Sequence, residues 1–252
     1  MNCFDFNACF GHWPYWDLHQ KRPDELIAQM DRCGIERAAV MSLRGLVVDW
    51  RRGNEETLAA ARTAPARLVA AASLSPFDRG GVAELERLAA AGFRLLRLYP
   101  QFHSYSLASA FADEICDAAA ARALPVMIPT RPMMNWRFAA LPLDPVAALA
   151  GRHPRTAFVI SGPNYLAEYQ SLVELMRRSD NVYCEISALQ GFGALARLVG
   201  DVGAGRVLFG TGALLHYPAC NVAKLERAAI PEPARRAIAR ENALRLLGLD
   251  AC

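Results

Sequence analysis

The sequence of 252 residues predicts one α/β domain, a (β/α)8 TIM barrel with parallel strands, on three observations. Eight apolar, often β-branched segments recur along the chain. Their first residues lie 25 to 34 positions apart, the length that a strand, a crossover helix and two short loops require. The segments between them have helical periodicity. Near-continuous apolar strands favour a closed barrel over the alternative, a doubly wound open sheet.

The predicted strands are short, and each is bounded by turn-forming or polar residues. In chain order they are Cys3 to Cys9, Arg37 to Leu43, Leu68 to Ser75, Leu95 to Tyr99, Val126 to Thr130, Ala157 to Ser161, Val182 to Ser187 and Val207 to Thr211.

The predicted helices have recognisable ends. Pro23, Asp24 and Glu25 are typical of a first helical turn, and Gly34 is typical of a residue that ends a helix. Further helices are predicted for Gly80 to Ala91, Leu107 to Ala123, Leu166 to Arg178 and Pro231 to Leu247.

Composition excludes several classes of protein. The chain is 53% hydrophobic and its formal charge is only +3, which excludes a disordered protein. Its basic runs are pairs, so we expect no nucleic-acid partner. No segment is long and apolar enough for a membrane span, and the N-terminal segment lacks the apolar region of a signal peptide, so we expect a cytoplasmic protein without membrane contact. Seven cysteines without a C-x-x-C pair argue against structural disulfides.

In a parallel barrel the functional residues follow the carboxyl ends of the strands. The candidate pocket therefore comprises Asn7 and Cys9, Ser42 and Arg44, Ser75, Gln101 and His103, residues 129–131, residues 161–164, Glu185 and Ser187, and residues 211–216.

Several strand-end motifs together resemble those of the amidohydrolase superfamily, in its amidohydrolase-related (family 2) branch. The opening FDFNACFG is similar to the family's Asp-x-His-x-His-x-Gly, LPVMIPT to Leu-Pro-Val-x-Ile-His-Thr, and HPRTAFVISG to the sixth strand that ends in His-x-Gly. NVYCEIS, RVLFGTGALLHYP and ENALRLLGL are similar to the seventh strand, to Leu-Phe-Gly-Ser-Asp and to the terminal helix. The order and spacing of these motifs make the resemblance specific.

The resemblance also identifies the positions where relatives bind a metal. These positions hold Asn7, Cys9, Pro129, Ser161 and Gly212 in this chain. A divalent metal needs three or more imidazole or carboxylate ligands, and proline and glycine offer no side-chain donor. We therefore predict neither a metal nor another cofactor.

Four residues are candidates for catalysis: Cys9, His103, Glu185 and His216. Cys9 is a nucleophile only if a partner lowers its pKa, and otherwise a small buried residue. His103 either transfers a proton or hydrogen-bonds to the backbone of its loop, and His216 is a second candidate acid or base. Glu185 either acts as an acid or forms a structural salt bridge with Arg97 or Arg131.

Eight residues are candidates for substrate binding. Arg44 and Arg131 follow predicted strands, where a guanidinium can hold a carboxylate, although both could equally lie over the surface. Asn7, Ser161, Asn164 and Ser187 offer hydrogen bonds. Trp13 and Trp136 belong to two apolar loops that would roof the mouth of the barrel or form a subunit interface, so a homo-oligomer is possible.

Two functions fit these features. The first is a hydrolase or lyase that has lost the family's metal, lactonase-like in its chemistry, and acts on a small carboxylated substrate. The second is a non-catalytic barrel, a pseudoenzyme that binds a small anionic ligand or a partner protein.

Overall fold

The computed structural model describes residues 2–77, 80–133, 138–164 and 166–249, which form a parallel barrel. Eight strands follow one another around it in sequence order, and each pair of neighbours is parallel. They are β1 (Cys3–Phe10), β2 (Ile35–Ser42), β3 (Leu68–Ser73), β4 (Leu95–Arg97), β5 (Val126–Pro129), β6 (Phe158–Ser161), β7 (Val182–Glu185) and β8 (Val207–Leu208). The predicted fold class and all eight predicted strands are confirmed.

Helices alternate with the strands around the outside of the barrel. They are α1 (Pro23–Arg32), α2 (Arg44–Val47), α3 (Trp50–Thr63), α4 (Gly81–Ala91), α5 (Ala110–Ala121), α6 (Leu143–Arg152), α7 (Leu166–Arg178), α8 (Ala194–Val202), α9 (Pro218–Arg227), α10 (Glu232–Arg236) and α11 (Asn242–Leu247). A π-helical turn, Ala237–Glu241, joins the last two. Helix α5 begins three residues after the predicted Leu107, because the hydroxyl of Ser109 caps it by accepting from the backbone N–H of Ala112. None of the helices in the described ranges is long and apolar enough to cross a membrane.

Backbone hydrogen bonds between the last strand and the first close the barrel. The N–H of Phe6 donates to the carbonyl of Phe209 (2.8 Å), and the N–H of Gly212 donates to the carbonyl of Asn7 (2.7 Å). The buried carboxylate of Asp5 accepts from the backbone N–H of Thr211 (2.9 Å) and from its hydroxyl. Burial raises the pKa of Asp5 to about 6.

A bulge in β1 determines which of its side chains point into the barrel. Phe4, Phe6 and Cys9 all belong to one apolar cluster, which also contains Met41 and Met127 from β2 and β5. The inward positions of β1 are therefore even-numbered up to residue 6 and odd-numbered at residue 9. The pairing of β1 with β2 shifts register over the same stretch, between Asp5 and Ala8. Bulges re-aim side chains in this way. Asn7 therefore faces the barrel interior at its carboxyl end.

Candidate active site

Four polar side chains meet at the carboxyl ends of β1, β6 and β7. The Nδ2 of Asn7 lies 3.2 Å from the Oγ of Ser161, 3.3 Å from the Oε1 of Glu185 and 3.3 Å from the Oγ of Ser187. These strands alternate inward and outward residues, so their strand-end side chains converge on the barrel axis. The structure brings these four predicted site residues together.

The carboxylate of Glu185 is buried and held by uncharged donors. It accepts from the N–H and the Oγ of Ser187, both at 2.7 Å, and from the hydroxyl of Ser161. Of the two alternatives for Glu185, the salt bridge with Arg97 or Arg131 is wrong, since no described cation forms an ion pair with this carboxylate. Hydroxyl and N–H donors stabilise it instead. A Cβ at Gly210 would lie 2.0 Å from the Oε2 of Glu185, so only glycine leaves room for the carboxylate there.

The guanidinium of Arg97 is the second buried charge, and only 1% of this residue is exposed. Its Nη1 donates to the Oδ1 of Asn7 (3.3 Å), and its Nη2 donates to the carbonyls of Ala39 (3.0 Å) and Phe6 (3.4 Å). Its Nε has no acceptor, and none of the carboxylates in the described ranges pairs with it. Sequence reasoning missed this role. The signal was present, because alternation from Leu95 places an arginine inside an otherwise apolar strand.

The mouth cavity, a space of about 20 Å³, lies above these groups. It has room for about one water molecule. Its walls are Asn7, Cys9, Met41, Leu43, Leu46, Arg97, Tyr99, Pro129, Arg131, Pro132, Gly212 and Leu215.

Cys9 reaches the mouth cavity but is not prepared as a nucleophile. Burial raises the pKa of its thiol to about 11, and the opposing effect of the Arg97 charge is smaller. A thiol with such a pKa stays protonated near neutral pH, and the protonated form is a poor nucleophile.

The two arginines predicted to bind a substrate carboxylate already contact carboxylates of the chain. Arg131 is 7% exposed and pairs with Glu168, at the start of α7. The Nε of Arg44 lies 2.7 Å from the Oε1 of Glu56, on α3. Both partners come from helices, which strand-end motifs alone do not reveal.

His103 is buried with both ring nitrogens facing backbone carbonyls. Its Nδ1 lies 3.3 Å from the oxygen of Leu74 and its Nε2 lies 3.2 Å from the oxygen of Leu46. Burial lowers the pKa of this imidazole. The ring thus links α2 to the loop after β3, as in the structural alternative, and His103 is absent from the wall of the mouth cavity.

The imidazole of His216 occupies space that the glycine at position 212 leaves open. A Cβ at Gly212 would lie 2.5 Å from the Nδ1 of His216, and Gly212 has a φ of +69° that favours glycine. Burial lowers the pKa of His216, while the negative charge of Glu185 acts in the opposite direction. His216 therefore lies beside Gly212, a wall residue of the mouth cavity.

Lys224 is another residue that sequence reasoning missed. Its Nζ donates to the carbonyl of Ile186 and to the Oδ1 of Asn221, both at 2.6 Å. Burial lowers its pKa to about 8, and the charge of Glu185 partly opposes this effect. Lys224 therefore adds a positive charge near the carboxyl end of β7.

Two of the remaining predicted binding residues, Asn164 and Trp13, lie in the loops after β6 and β1. Asn164 accepts from the N–H of Gln190 (3.1 Å) and is absent from the wall of the mouth cavity. Trp13 is fully buried and packs 5.8 Å from Phe138, between ring centroids, so it joins the loop after β1 to the loop after β5. Trp136 lies outside the described residues.

The residues at the five matched metal positions do not fit a divalent metal ion. The Oδ1 of Asn7 accepts from a guanidinium, whose charge would repel a cation beside it. The hydroxyl of Ser161 donates to Glu185, Pro129 has no donor, and His216 covers Gly212. Across the described ranges, no group of three or more His, Cys, Asp or Glu side chains could hold a metal ion.

Comparison with known proteins adds a family and a fold. The family model described as Amidohydrolase matches residues 7–249. No curated protein sequence matches the chain. Among solved structures, a 5-carboxyvanillate decarboxylase from Sphingomonas paucimobilis superposes with a TM-score of 0.77 at 15% identity, covering 99% of each chain.

Two further structures superpose over the same length. A 2,6-dihydroxybenzoate decarboxylase from Rhizobium gives a TM-score of 0.76 at 18% identity over 99% of each chain. A probable 2-pyrone-4,6-dicarboxylic acid hydrolase from Acinetobacter baumannii, with citric acid bound, gives 0.73 at 14% identity over 99% of this chain and 100% of its own. At such identities these structures share the fold with this chain.

Proposed function

The chain belongs to the amidohydrolase family, and from that membership we propose that it is a metal-independent hydrolase or lyase, lactonase-like in its chemistry, acting on a small carboxylated substrate. The observation that carries this proposal is the guanidinium of Arg97. It is buried beneath the mouth cavity, it has no carboxylate partner in the described ranges, and its Nε has no acceptor.

A buried cation without a counter-ion is costly, because desolvation penalises a charge by several kcal/mol. A carboxylate that enters the mouth cavity would compensate the charge of Arg97 and supply the missing acceptor. The names of the superposed enzymes describe carboxylated aromatic compounds and a pyrone dicarboxylic acid, and a carboxylate is the group that these compounds share. Arg97 takes the role that the sequence suggested for Arg44 and Arg131.

For proton transfer we assign His216. Its imidazole lies against Gly212, which lines the mouth cavity, and an imidazole titrates close to neutral pH. Glu185 stabilises the protonated imidazole through its charge. Asn7 lies between the two buried charges, accepts from Arg97 and donates toward Glu185, and so orients the guanidinium.

A second candidate function is a non-catalytic barrel that binds a small anion. The protonated thiol of Cys9 and the small volume of the mouth cavity favour it. Both functions use Arg97 in the same way, and they differ in whether the bound carboxylate reacts.

Calorimetric titration with benzoate tests the step that both functions share, the binding of a carboxylate by Arg97. We expect Arg97→Met to weaken binding by about 1.5 to 3 kcal/mol, the usual size of a hydrogen bond to a charged group. Arg131→Met is the matched control, and we expect a smaller loss because Arg131 is already paired with Glu168. Equal affinity in the wild type and Arg97→Met would refute the proposal. Turnover of aromatic carboxylates and carboxylated lactones, followed by chromatography with and without chelator, separates the enzyme from the binder and tests metal independence.

A further inference from the structure

A larger cavity lies beside the mouth cavity. This vestibule has a volume of about 550 Å³, and its walls come from the loop after β1, with Trp16, Leu18 and His19, and from the turn after β8, with Leu215, His216 and Tyr217. Cavities of about 300 to 1,000 Å³ are the usual size of small-molecule sites. The mouth cavity alone is too small for such a molecule.

Leu215 is the wall residue that the two spaces share, so it lies where they adjoin. The backbone of this turn is fixed, because the N–H groups of Leu215 and His216 both donate to the carbonyl of Gly212 at 2.9 Å. Leu215 is only partly buried, whereas Leu46, its counterpart in the mouth-cavity wall, is 3% exposed and packed in the core. Leu215 can therefore change rotamer at lower cost than its counterpart.

We propose that the vestibule binds the uncharged aromatic part of a carboxylate substrate whose carboxylate reaches Arg97, and that the side chain of Leu215 is the movable partition between the two subsites. The assignment of the carboxylate end rests on the proposed function. The partition rests on cavity geometry alone.

The chemistry of the vestibule walls suits an aromatic group. Trp16 and Tyr217 line it and are 40% and 79% exposed, and aromatic side chains pack favourably against planar rings. Asp17, the carboxylate in these walls, is already paired with Lys21 at 2.8 Å. An uncharged planar group can thus stack in the vestibule without leaving a wall charge unpaired.

Cys9 offers a direct test of the partition, since its thiol lines the mouth cavity. A small methanethiosulfonate reagent is applied to the folded full-length protein, and labelling of each cysteine is followed by peptide mass spectrometry. Cys220 is exposed and gives the reference rate, while Cys116 and Cys184 are buried in the core and report unfolding. We expect Leu215→Ala to raise the labelling rate of Cys9 about tenfold over the wild type, because access no longer waits for a side-chain opening.

Leu46→Ala is the matched control. It removes the same three carbons from a residue that lines only the mouth cavity, enlarges that cavity and leaves the partition in place. We expect it to change the Cys9 rate far less, and we expect Leu215→Phe, which enlarges the partition, to lower that rate below the wild type. Equal acceleration in Leu215→Ala and Leu46→Ala, with Cys116 and Cys184 unlabelled, would overturn the partition.

Titration with benzoate and biphenyl-4-carboxylate tests the aromatic subsite. We expect Leu215→Ala to favour biphenyl-4-carboxylate over benzoate by about tenfold relative to the wild type, and Trp16→Ala to weaken only the longer acid. If neither acid binds while Cys9 labelling still depends on Leu215, the proposed function fails and the partition stands. If benzoate binds through Arg97 but both variants treat the two acids alike, the aromatic subsite fails and the proposed function stands.

Discussion

The two buried charges at the mouth of the barrel differ in how completely the protein satisfies them. Glu185 accepts hydrogen bonds from two serine hydroxyls and a backbone N–H, so its environment is complete without a ligand. Arg97 donates to Asn7 and to the backbone carbonyls of Phe6 and Ala39, but its Nε has no acceptor. This difference is why the proposed function assigns the ligand to Arg97. In that proposal the stabilised carboxylate is a fixed charge of the site, and the incompletely satisfied guanidinium is its binding group.

The largest expected effect comes from a substitution beside Glu185, the charge whose hydrogen bonds are complete. Gly210→Ala places a Cβ 2.0 Å from the Oε2 of Glu185, so we expect the free energy of unfolding to fall by about 3 kcal/mol from overpacking and lost hydrogen bonds. Urea denaturation measures it. Adding Glu185→Gly should recover part of the loss, since the clash disappears. Additive losses in the double variant would show that Glu185 is not the group that Gly210 accommodates.

Asp5 extends the comparison to a third buried charge, whose pKa burial raises to about 6. The folded protein therefore binds more protons than the unfolded chain between the ordinary carboxyl pKa and about 6. This stabilising contribution is complete below the unfolded pKa and is lost as the pH rises through about 6. At about 1.4 kcal/mol per pKa unit, the loss amounts to about 2 to 3 kcal/mol.

The measurement is the difference in unfolding free energy between the wild type and Asp5→Asn, from pH 4 to pH 7. The asparagine variant does not titrate at position 5 and serves as the control for all other groups. We expect the wild type to lose stability relative to this variant as the pH rises. A difference that stays constant over this range would contradict the raised pKa.

A substitution of His103 tests whether this buried polar side chain belongs to the proposed binding site. Because its ring faces the carbonyls of Leu74 and Leu46, we expect His103→Gln to lower the unfolding free energy by about 1 to 2 kcal/mol. Its affinity for benzoate should match the wild type. A large loss of affinity with unchanged stability would move His103 into the binding site.

The smallest expected effect is on the stability of Arg97→Met. The variant removes the desolvation cost of a buried cation without a counter-ion, while Asn7 and two backbone carbonyls lose a donor. We expect these effects to offset each other to within about 1 kcal/mol, despite the loss of affinity for carboxylates. Urea denaturation beside the titrations described above gives both quantities. A loss of several kcal/mol would mean that Arg97 mainly holds the barrel together, and the contrast with Glu185 would disappear.

Much of this arrangement follows from the sequence. The spacing of apolar runs predicts all eight strands, and period-two alternation places Glu185 and Ser187 on one side of their strand. Family motifs give the correspondence of Asn7 and Ser161 with the first and sixth strands. These predictions succeed because they depend on local periodicity and on the ends of strands.

The charges could not be paired from the sequence. The partners of Arg44 and Arg131 are Glu56 and Glu168, and both lie on helices whose orientation depends on tertiary packing. Whether Arg97 has a counter-ion depends equally on which long-range groups reach it. Strand-end motifs predict which side chains converge. They do not predict which of these side chains remain without a hydrogen-bond or ion-pair partner.

The seam between β8 and β1 has a consequence for how the protein is made. Asp5 and Thr211 are 206 positions apart, so the first strand is synthesised long before the strand that closes the barrel against it. Until then, the growing sheet has two open edges, and open edges can pair with other chains. Contacts this distant in sequence also form slowly. Ribosome-bound intermediates that lack β8 should therefore depend on chaperones, and a protease should cleave them at β1 before the closing strand emerges.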